Sequence, residues 1–299
     1  MVYATLIFKK HIMKKTINAI TILLGILVIS ISSCIKDDVN LIDENNKWVY
    51  LDSSNSANIK VIQVFAGNTP LLPTAPSIYT GPQVFIYANG AKLNGTALGY
   101  INGTTYTGAS TTPSALGSPW PITNVYANIP AGATRFDIIN ARMNLSVVPN
   151  IPGFIAGDTL ATFNATLDKG KYYSLYIGDT VPTIRVTVKE DNFPLPDYQT
   201  YKIRVANFLM NPLDTITLFS TRQNAEIISD ITHKDVSNWV QLPLPVISDT
   251  LIFRKKGTTA SYIQINGFSP VGLRMYTVLA RGKTTVTAKA PSASIITNR

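Results

Sequence analysis

Beyond residue 56 the chain carries no long stretch of helical period; its apolar residues come in strand-length runs cut by turn signals, a rhythm that restricts the body to all-β folds. The runs are "IKVIQVF" (59–65), "QVFIYANG" (83–90), "RFDIINA" (135–141), "TLATFNATL" (159–167), "KYYSLYIG" (171–178) and "TIRVTVKE" (183–190). All are rich in β-branched and aromatic residues, which fit a pleated, half-buried surface. Asn89-Gly90, Asn94-Gly95, Asn102-Gly103, Pro130-Ala131-Gly132 and Asp168-Lys169-Gly170 punctuate them as turns. Short strands between regular turn signals predict a sandwich.

The order then recurs. "IKVIQVF" at 59 aligns with "IRVANFL" at 203 through an apolar-basic-Val opening, and "GKYYSLYIG" at 170 aligns with "LRMYTVLARG" at 273. Between the copies, "EDNFPLPDYQT" (190–200) sets two prolines among acids, which a central strand does not tolerate. The expected organisation is therefore two tandem immunoglobulin-like antiparallel β-sandwich domains, 57–190 and 201–299, joined by a linker at 191–200.

Composition agrees with this class. Hydrophobic residues make up 45% of the 299 and charged ones 14%, enough to bury a sizeable core with few salt-bridged surfaces. The formal charge of +9 is unevenly placed: Lys9, Lys10, Lys14 and Lys15 precede Cys34 and every acid follows it. From Cys34 onward 22 basic side chains face 17 acidic ones, a balance of +5. The densest basic spot there, Arg254-Lys255-Lys256 before Gly257, reads as a solvated hairpin tip, so no nucleic-acid partner is expected.

The N-terminus reads as an address. Residues 17–31, "INAITILLGILVISI", follow a lysine-rich start and end at Ser32-Ser33. About 15 apolar residues match a secretory h-region and fall short of the ~20 that span a bilayer as a helix. Residues 1–33 are thus expected to be a signal peptide; Met13-Lys14-Lys15 would itself begin one, so residues 1–12 read equally as an upstream extension. Ile31-Ser32-Ser33-Cys34 resembles the lipobox of bacterial lipoproteins, whose cysteine thiol takes up lipid and becomes the new N-terminus. That resemblance implies a lipidated tether at 34–56 and a membrane as partner through several acyl chains, each methylene worth ~0.8 kcal/mol. Lys36-Asp37-Asp38 is similar to the export tag that sends some Bacteroidota lipoproteins to the outer face of the outer membrane; the tag is only a few residues, and the competing reading is a solvated linker.

The motifs "IRVANF", "VYANIPAGATRFDI" and "LDKGKYYSLYIG" resemble the domain of unknown function numbered 4397, over roughly residues 57–299. That family implies tandem β-sandwiches in surface and secreted proteins and brings no established activity. The first copy departs from it through "AGNTPLLPTAPSIYTGP" and a polar loop at 95–121.

Chemistry-bearing residues are sparse. A single cysteine, and a single histidine (His233) after Cys34, leave no cysteine cluster, imidazole cluster or His-based triad, so no metal, no cofactor and no catalytic residue is expected. His233 reads as an exposed loop residue. No carboxylate pair stands out for glycoside hydrolysis. Asp-Thr-aliphatic occurs at Thr159, Thr180, Thr215 and Thr250. The pattern is similar to the O-glycan acceptor motif of exported Bacteroidota proteins, and it is also how a turn enters a strand. Trp120 between two prolines, with Tyr79, Tyr100 and Tyr106 in the polar loops around it, is a candidate contact for a glycan or protein partner at the cell surface; the competing reading is a plug at the end of a sandwich. Trp239 reads as an inward strand residue. The expected function is a non-catalytic binding or adhesion module on the outer membrane, facing the cell surface with the periplasmic face as the other option; a ligand-free envelope spacer is the alternative and a glycan-processing enzyme the third reading.

Overall fold

A computed structural model describes residues 53–64, 83–101, 105–106, 119–121, 125–141, 157–180, 183–211, 214–283 and 290–299. Cys34, Lys36, Asp37, Asp38 and Tyr79 lie outside the described residues, as do the side chains of Tyr106 and Thr180. Residues 51–299 form one compact unit, distinct from residues 1–50.

The first copy contributes β1 (Ser56–Gln63), β2 (Val84–Ala88), β3 (Ala91–Lys92), β5 (Ala127–Pro130), β6 (Gly132–Asn140), β7 (Thr159–Leu167), β8 (Tyr172–Thr180) and β9 (Thr183–Asp191), with a two-residue strand β4 (Thr105–Tyr106) inside its long loop. The second contributes β10 (Thr200–Leu209), β11 (Ile216–Ser220), β12 (Ala225–Ile231), β13 (Val240–Pro243), β14 (Asp249–Lys255), β15 (Ser261–Phe268), β16 (Met275–Gly282) and β17 (Ser292–Thr297). Among the described residues there is no α-helix.

The sheets are β5-β1-β8-β9 and β3-β2-β6-β7 in the first copy, β13-β10-β16-β17 and β12-β11-β14-β15 in the second. Strand for strand the two plans are identical. In both, the first strand runs parallel to the seventh (β1 with β8, β10 with β16) and the other pairings within the copy are antiparallel. The all-β tandem class is therefore as expected, and the predicted alignment is in register: Ile59 sits opposite Tyr173, and Ile203 opposite Tyr276. Each of those tyrosines accepts a hydrogen bond at its hydroxyl from a backbone N–H five residues upstream, Asp168 in one case and Val271 in the other, both at 2.9 Å. This is the corner that pins a chain entering a sandwich. The expected Asn89-Gly90 turn joins β2 to β3 with both residues at positive φ, 48° and 82°, as a two-residue hairpin turn requires.

Alternation explains the outer sheets. In β6, Thr134, Phe136, Ile138 and Asn140 point inward while the residues between them are partly or fully exposed. The inner strands follow a different rule: β16 is buried at all eight positions, and β1 and β10 are buried at nearly all of theirs. A strand buried on both faces needs a layer on each side. Two cores lie inside the sandwiches, around Ile59, Val61 and Ile86 in the first copy and Ile203, Val205 and Leu218 in the second. A third joins the copies: Ile62, Val64, Ile101 and Tyr176 pack with Ala206, Phe208, Val236, Leu279 and Ile296, with the Tyr176 and Phe208 rings stacked at 4.6 Å. The result is four layers, with sheets β5-β1-β8-β9 and β13-β10-β16-β17 face to face in the middle.

Candidate functional site

Lys60 and Arg204 occupy the same position in β1 and β10, one residue after the aligned isoleucines, and both point into the middle interface. An isolated charge there would cost several kcal/mol, so partners must surround it. Arg204 Nη2 lies 2.6 Å from Asp191 Oδ1, at the end of β9 in the other copy. Asp191 Oδ2 accepts from Ser174 Oγ at 2.6 Å and from Tyr126 Oη at 2.8 Å. Asn298 Nδ2 donates to Tyr126 Oη at 3.1 Å, Thr277 Oγ1 donates to Asn298 Oδ1 at 2.6 Å, and Arg204 Nε donates to Thr277 Oγ1 at 2.9 Å. The bonds close a ring that crosses between the copies. Lys60 Nζ sits 4.7 Å above the Tyr126 ring, and the Arg204 guanidinium 4.4 Å from the Trp239 ring, whose Nε1 donates to Asn192 O at 2.7 Å. Tyr126 also meets Tyr172 and Phe193 edge-on, which shields the ring from water.

Burial dominates the electrostatics. It pushes the Lys60 ammonium from 10.5 down to about 8; Asp191 opposes that shift and Arg204 adds to it. Burial and the Asp191 charge raise the Tyr126 hydroxyl well above its ordinary 10, and burial takes Tyr176 to about 12. For Arg204, burial works against the charge, and the attraction of Asp191 overcomes it, leaving the guanidinium above its usual value. Lys60, Ser174 and Thr277 have no exposed surface, and Asp191, Arg204 and Asn298 almost none. The ring therefore holds two sheets together and admits no solute. The sequence places Asp191 in the linker; in the structure it closes β9 and supplies the buried anion of the seam.

The described residues of the expected ligand loop make structural contacts. Tyr100 is 8% exposed, with its hydroxyl accepting from Arg281 Nη1 at 3.3 Å, and Ile101 belongs to the core between the copies. Thr105 and Tyr106 pair with Ile295 and Ile296, so β4 adds a fifth strand to the second copy's inner sheet. The physical reason is the edge of β17, whose backbone groups need partners. Trp120 exchanges backbone hydrogen bonds with Val61 at 2.7 and 2.8 Å and packs half-buried against the first core. Tyr100 and Trp120 are thus structural contacts, and the structure does not gather them into a surface patch. His233 is half-buried in the turn after β12 rather than exposed.

The Asp-Thr motifs divide. Asp249 is buried and accepts from Ser220 Oγ, Thr221 Oγ1 and the Arg222 N–H, closing the β11–β12 turn. Asp214 pairs with Lys255 Nζ at 2.7 Å and accepts from Asn211 and Tyr262. Thr215 and Thr250 beside them are half-buried, whereas Thr159 is exposed.

An open cavity of about 690 Å³ lies at the edge of the second sandwich, between β15 and β17. Its lining, which includes Tyr262, Gln264, Asn266, Ser269, Tyr276 and Ser292, carries amide, hydroxyl and aromatic groups and no carboxylate, amine or imidazole. Composition alone could not have placed it, because it forms between strands of two different sheets, β15 and β17. Among the described residues no group of three or more His, Cys, Asp or Glu is placed to hold a metal ion.

No family model matches the chain, and no curated protein does. Two solved structures are similar over part of it. The Bacillus anthracis TIE protein is 10% identical with a TM-score of 0.20, over 77% of this chain and 34% of that one. A leucine-rich repeat protein from Bacteroides thetaiotaomicron is 11% identical with a TM-score of 0.17, over 79% and 27%. The chain spans about a third of the first protein's length.

Proposed function

We propose that the chain is a lipoprotein of the outer membrane, anchored by acyl chains on Cys34, and that it works without catalysis as a binding or adhesion module. The observation that carries this reading is the sequence Ile31-Ser32-Ser33-Cys34 closing an apolar segment, with the chain's one cysteine placed there. A body resembling tandem surface sandwiches fits that address. The test is direct: Cys34→Ala protein should lose both membrane fractionation and labelled fatty acid, and retention of either overturns the anchor.

The binding surface of this reading moves from Trp120 to the groove between β15 and β17. Amides, hydroxyls and ring faces are the groups that hold neutral, hydrogen-bonding ligands such as glycans. A glycan array should show binding that Gln264→Ala or Asn266→Ala weakens at unchanged stability. Trp120→Ala should instead lower the unfolding midpoint, since its ring packs against the first core.

A second reading is favoured by the ring at the seam. It fuses two sandwiches into one four-layer body, the property wanted in a spacer that holds something at a fixed distance from the membrane. Co-purification from native membranes separates the two: a reproducible protein partner of the intact chain supports the spacer, and a captured ligand with no partner supports the binding module.

A further inference from the structure

Of the eight large apolar side chains exposed among the described residues, six fall in three segments, one in the linker that enters the second copy and two in that copy's own loops: Leu195, Tyr198, Val246, Ile247, Val271 and Leu273. Scattered singly they would mean little, but a cluster marks an interaction surface. Strand directions bring the segments together. β10 and β16 start, and β13 and β15 finish, at one end of the sandwich. Backbone bonds tie the segments to each other: Leu273 N–H donates to Thr200 O and Leu244 N–H to Gln199 O, at 2.8 and 2.9 Å. Val246 is 90% exposed and Tyr198 81%. Arg222, Arg274 and Arg299 are exposed at the same end.

The matching end of the first copy is mainly polar, with Ser54, Asn55, Asn89, Asp168, Lys169 and Lys171 at its turns and Tyr172, 38% exposed, its large apolar side chain. Both ends face the same way. Lys60 and Arg204 meet at the polar ring, and two to four residues further on Ile62 and Val64 meet Ala206 and Phe208 in the third core, so β1 and β10 run in the same direction. Ser53, the first described residue, therefore enters at the end that carries the apolar loops. The 18 residues from Ile35 to Asp52 reach at most about 60 Å even fully extended.

We propose that this end is a membrane-docking surface, in which the aliphatic tips of the 244–247 and 271–273 loops enter the lipid interface and the exposed arginines meet headgroup phosphates. The proposal rests on the lipid-anchor reading for which surface lies nearby. A tether confined to one face turns a weak contact into a persistent one by raising its effective concentration.

The compact unit beginning at Leu51 carries all three cores and lacks the anchor, so it tests the surface alone. It should co-sediment with phosphatidylcholine vesicles and several-fold more with vesicles holding a quarter phosphatidylglycerol. The double variant Val246→Asp, Ile247→Asp should reduce bound protein at least tenfold with an unchanged thermal midpoint. As a second probe, Ile247→Trp should shift its emission to the blue on vesicle addition. Failure to sediment with either vesicle, or a double variant that binds like the parent, overturns the proposal. So does a dimer that the double variant dissociates in a chain that ignores vesicles. Fatty-acid labelling of Cys34 in the full chain reads the anchor separately: label without vesicle binding breaks only the docking surface, and vesicle binding without label supports the surface while breaking the anchor.

Discussion

The two copies fill matching positions along the seam with different residues. Where the first has Lys60, Tyr126, Ser174 and Asp191, the second has Arg204, Trp239, Thr277 and Asn298. Each basic residue lies over the aromatic ring at the matching position of its own copy. The anions are unequal, because Asn298 is neutral, and so Arg204 takes its carboxylate from the first copy. The ion pair thus joins the copies alongside the third core, because at this position only the first copy has an acid. The guanidinium serves this better than an ammonium, since its fork reaches Asp191 and Thr277 together.

That asymmetry is broken most severely at Arg204. Arg204→Met leaves Asp191 buried without its cation, and loss of about 3–5 kcal/mol is expected, with urea unfolding that no longer follows one transition. A parent-like midpoint and a single transition would show that the ring couples nothing.

Lys60 gives the opposite sign. In the unfolded chain its proton leaves near 10.5 and in the folded protein near 8, so between those values the folded state binds one proton fewer. Its contribution to stability therefore rises with pH across that window, by about 3 kcal/mol at full effect. Above pH 10 the buried tyrosines oppose it, since Tyr126 and Tyr176 keep protons that unfolded tyrosines lose. Lys60→Met should remove the slope between pH 8 and 10 and stabilise at pH 7; unfolding at both pH values reads it, and an unchanged slope places the titration elsewhere.

The tyrosine corners test where the copies are alike. Tyr173→Phe and Tyr276→Phe each delete one hydrogen bond to a backbone N–H, and each should cost about 1 kcal/mol in denaturant unfolding. A difference well beyond that would mean one corner carries load the other does not. Smallest is Thr159→Val, within about 0.5 kcal/mol, as expected for an exposed position. Intact mass from the native host should then show whether any glycan is lost with it; Thr215 and Thr250, half-buried beside structural aspartates, are the poorer acceptors.

The repeat was legible because its marks are local. "IKVIQVF" against "IRVANFL" and the two tyrosine-hydroxyl-aliphatic strands lie in the inner sheets, where burial on both faces leaves little freedom to diverge. Lys60 and Arg204 were visible as part of that mark, and a basic residue inside an apolar strand already signals a buried partner. The partner itself was hidden, since Asp191 sits in a segment whose prolines and acids describe a linker equally well. The groove and β4 were beyond reach for a related reason: a two-residue strand has no period, and pairing is decided by an edge far along the chain.

That short strand also sets an order of assembly. Thr105 and Tyr106 leave the ribosome long before Ile295 and Ile296, so the second inner sheet is completed by a piece of chain that has been waiting since the first copy was made. Contacts of such sequence separation form slowly, because a long loop must close before they reward it. Split into halves, the protein would leave β17 with a bare edge and the first half with a strand that has nowhere to go, a recipe for mispairing between molecules.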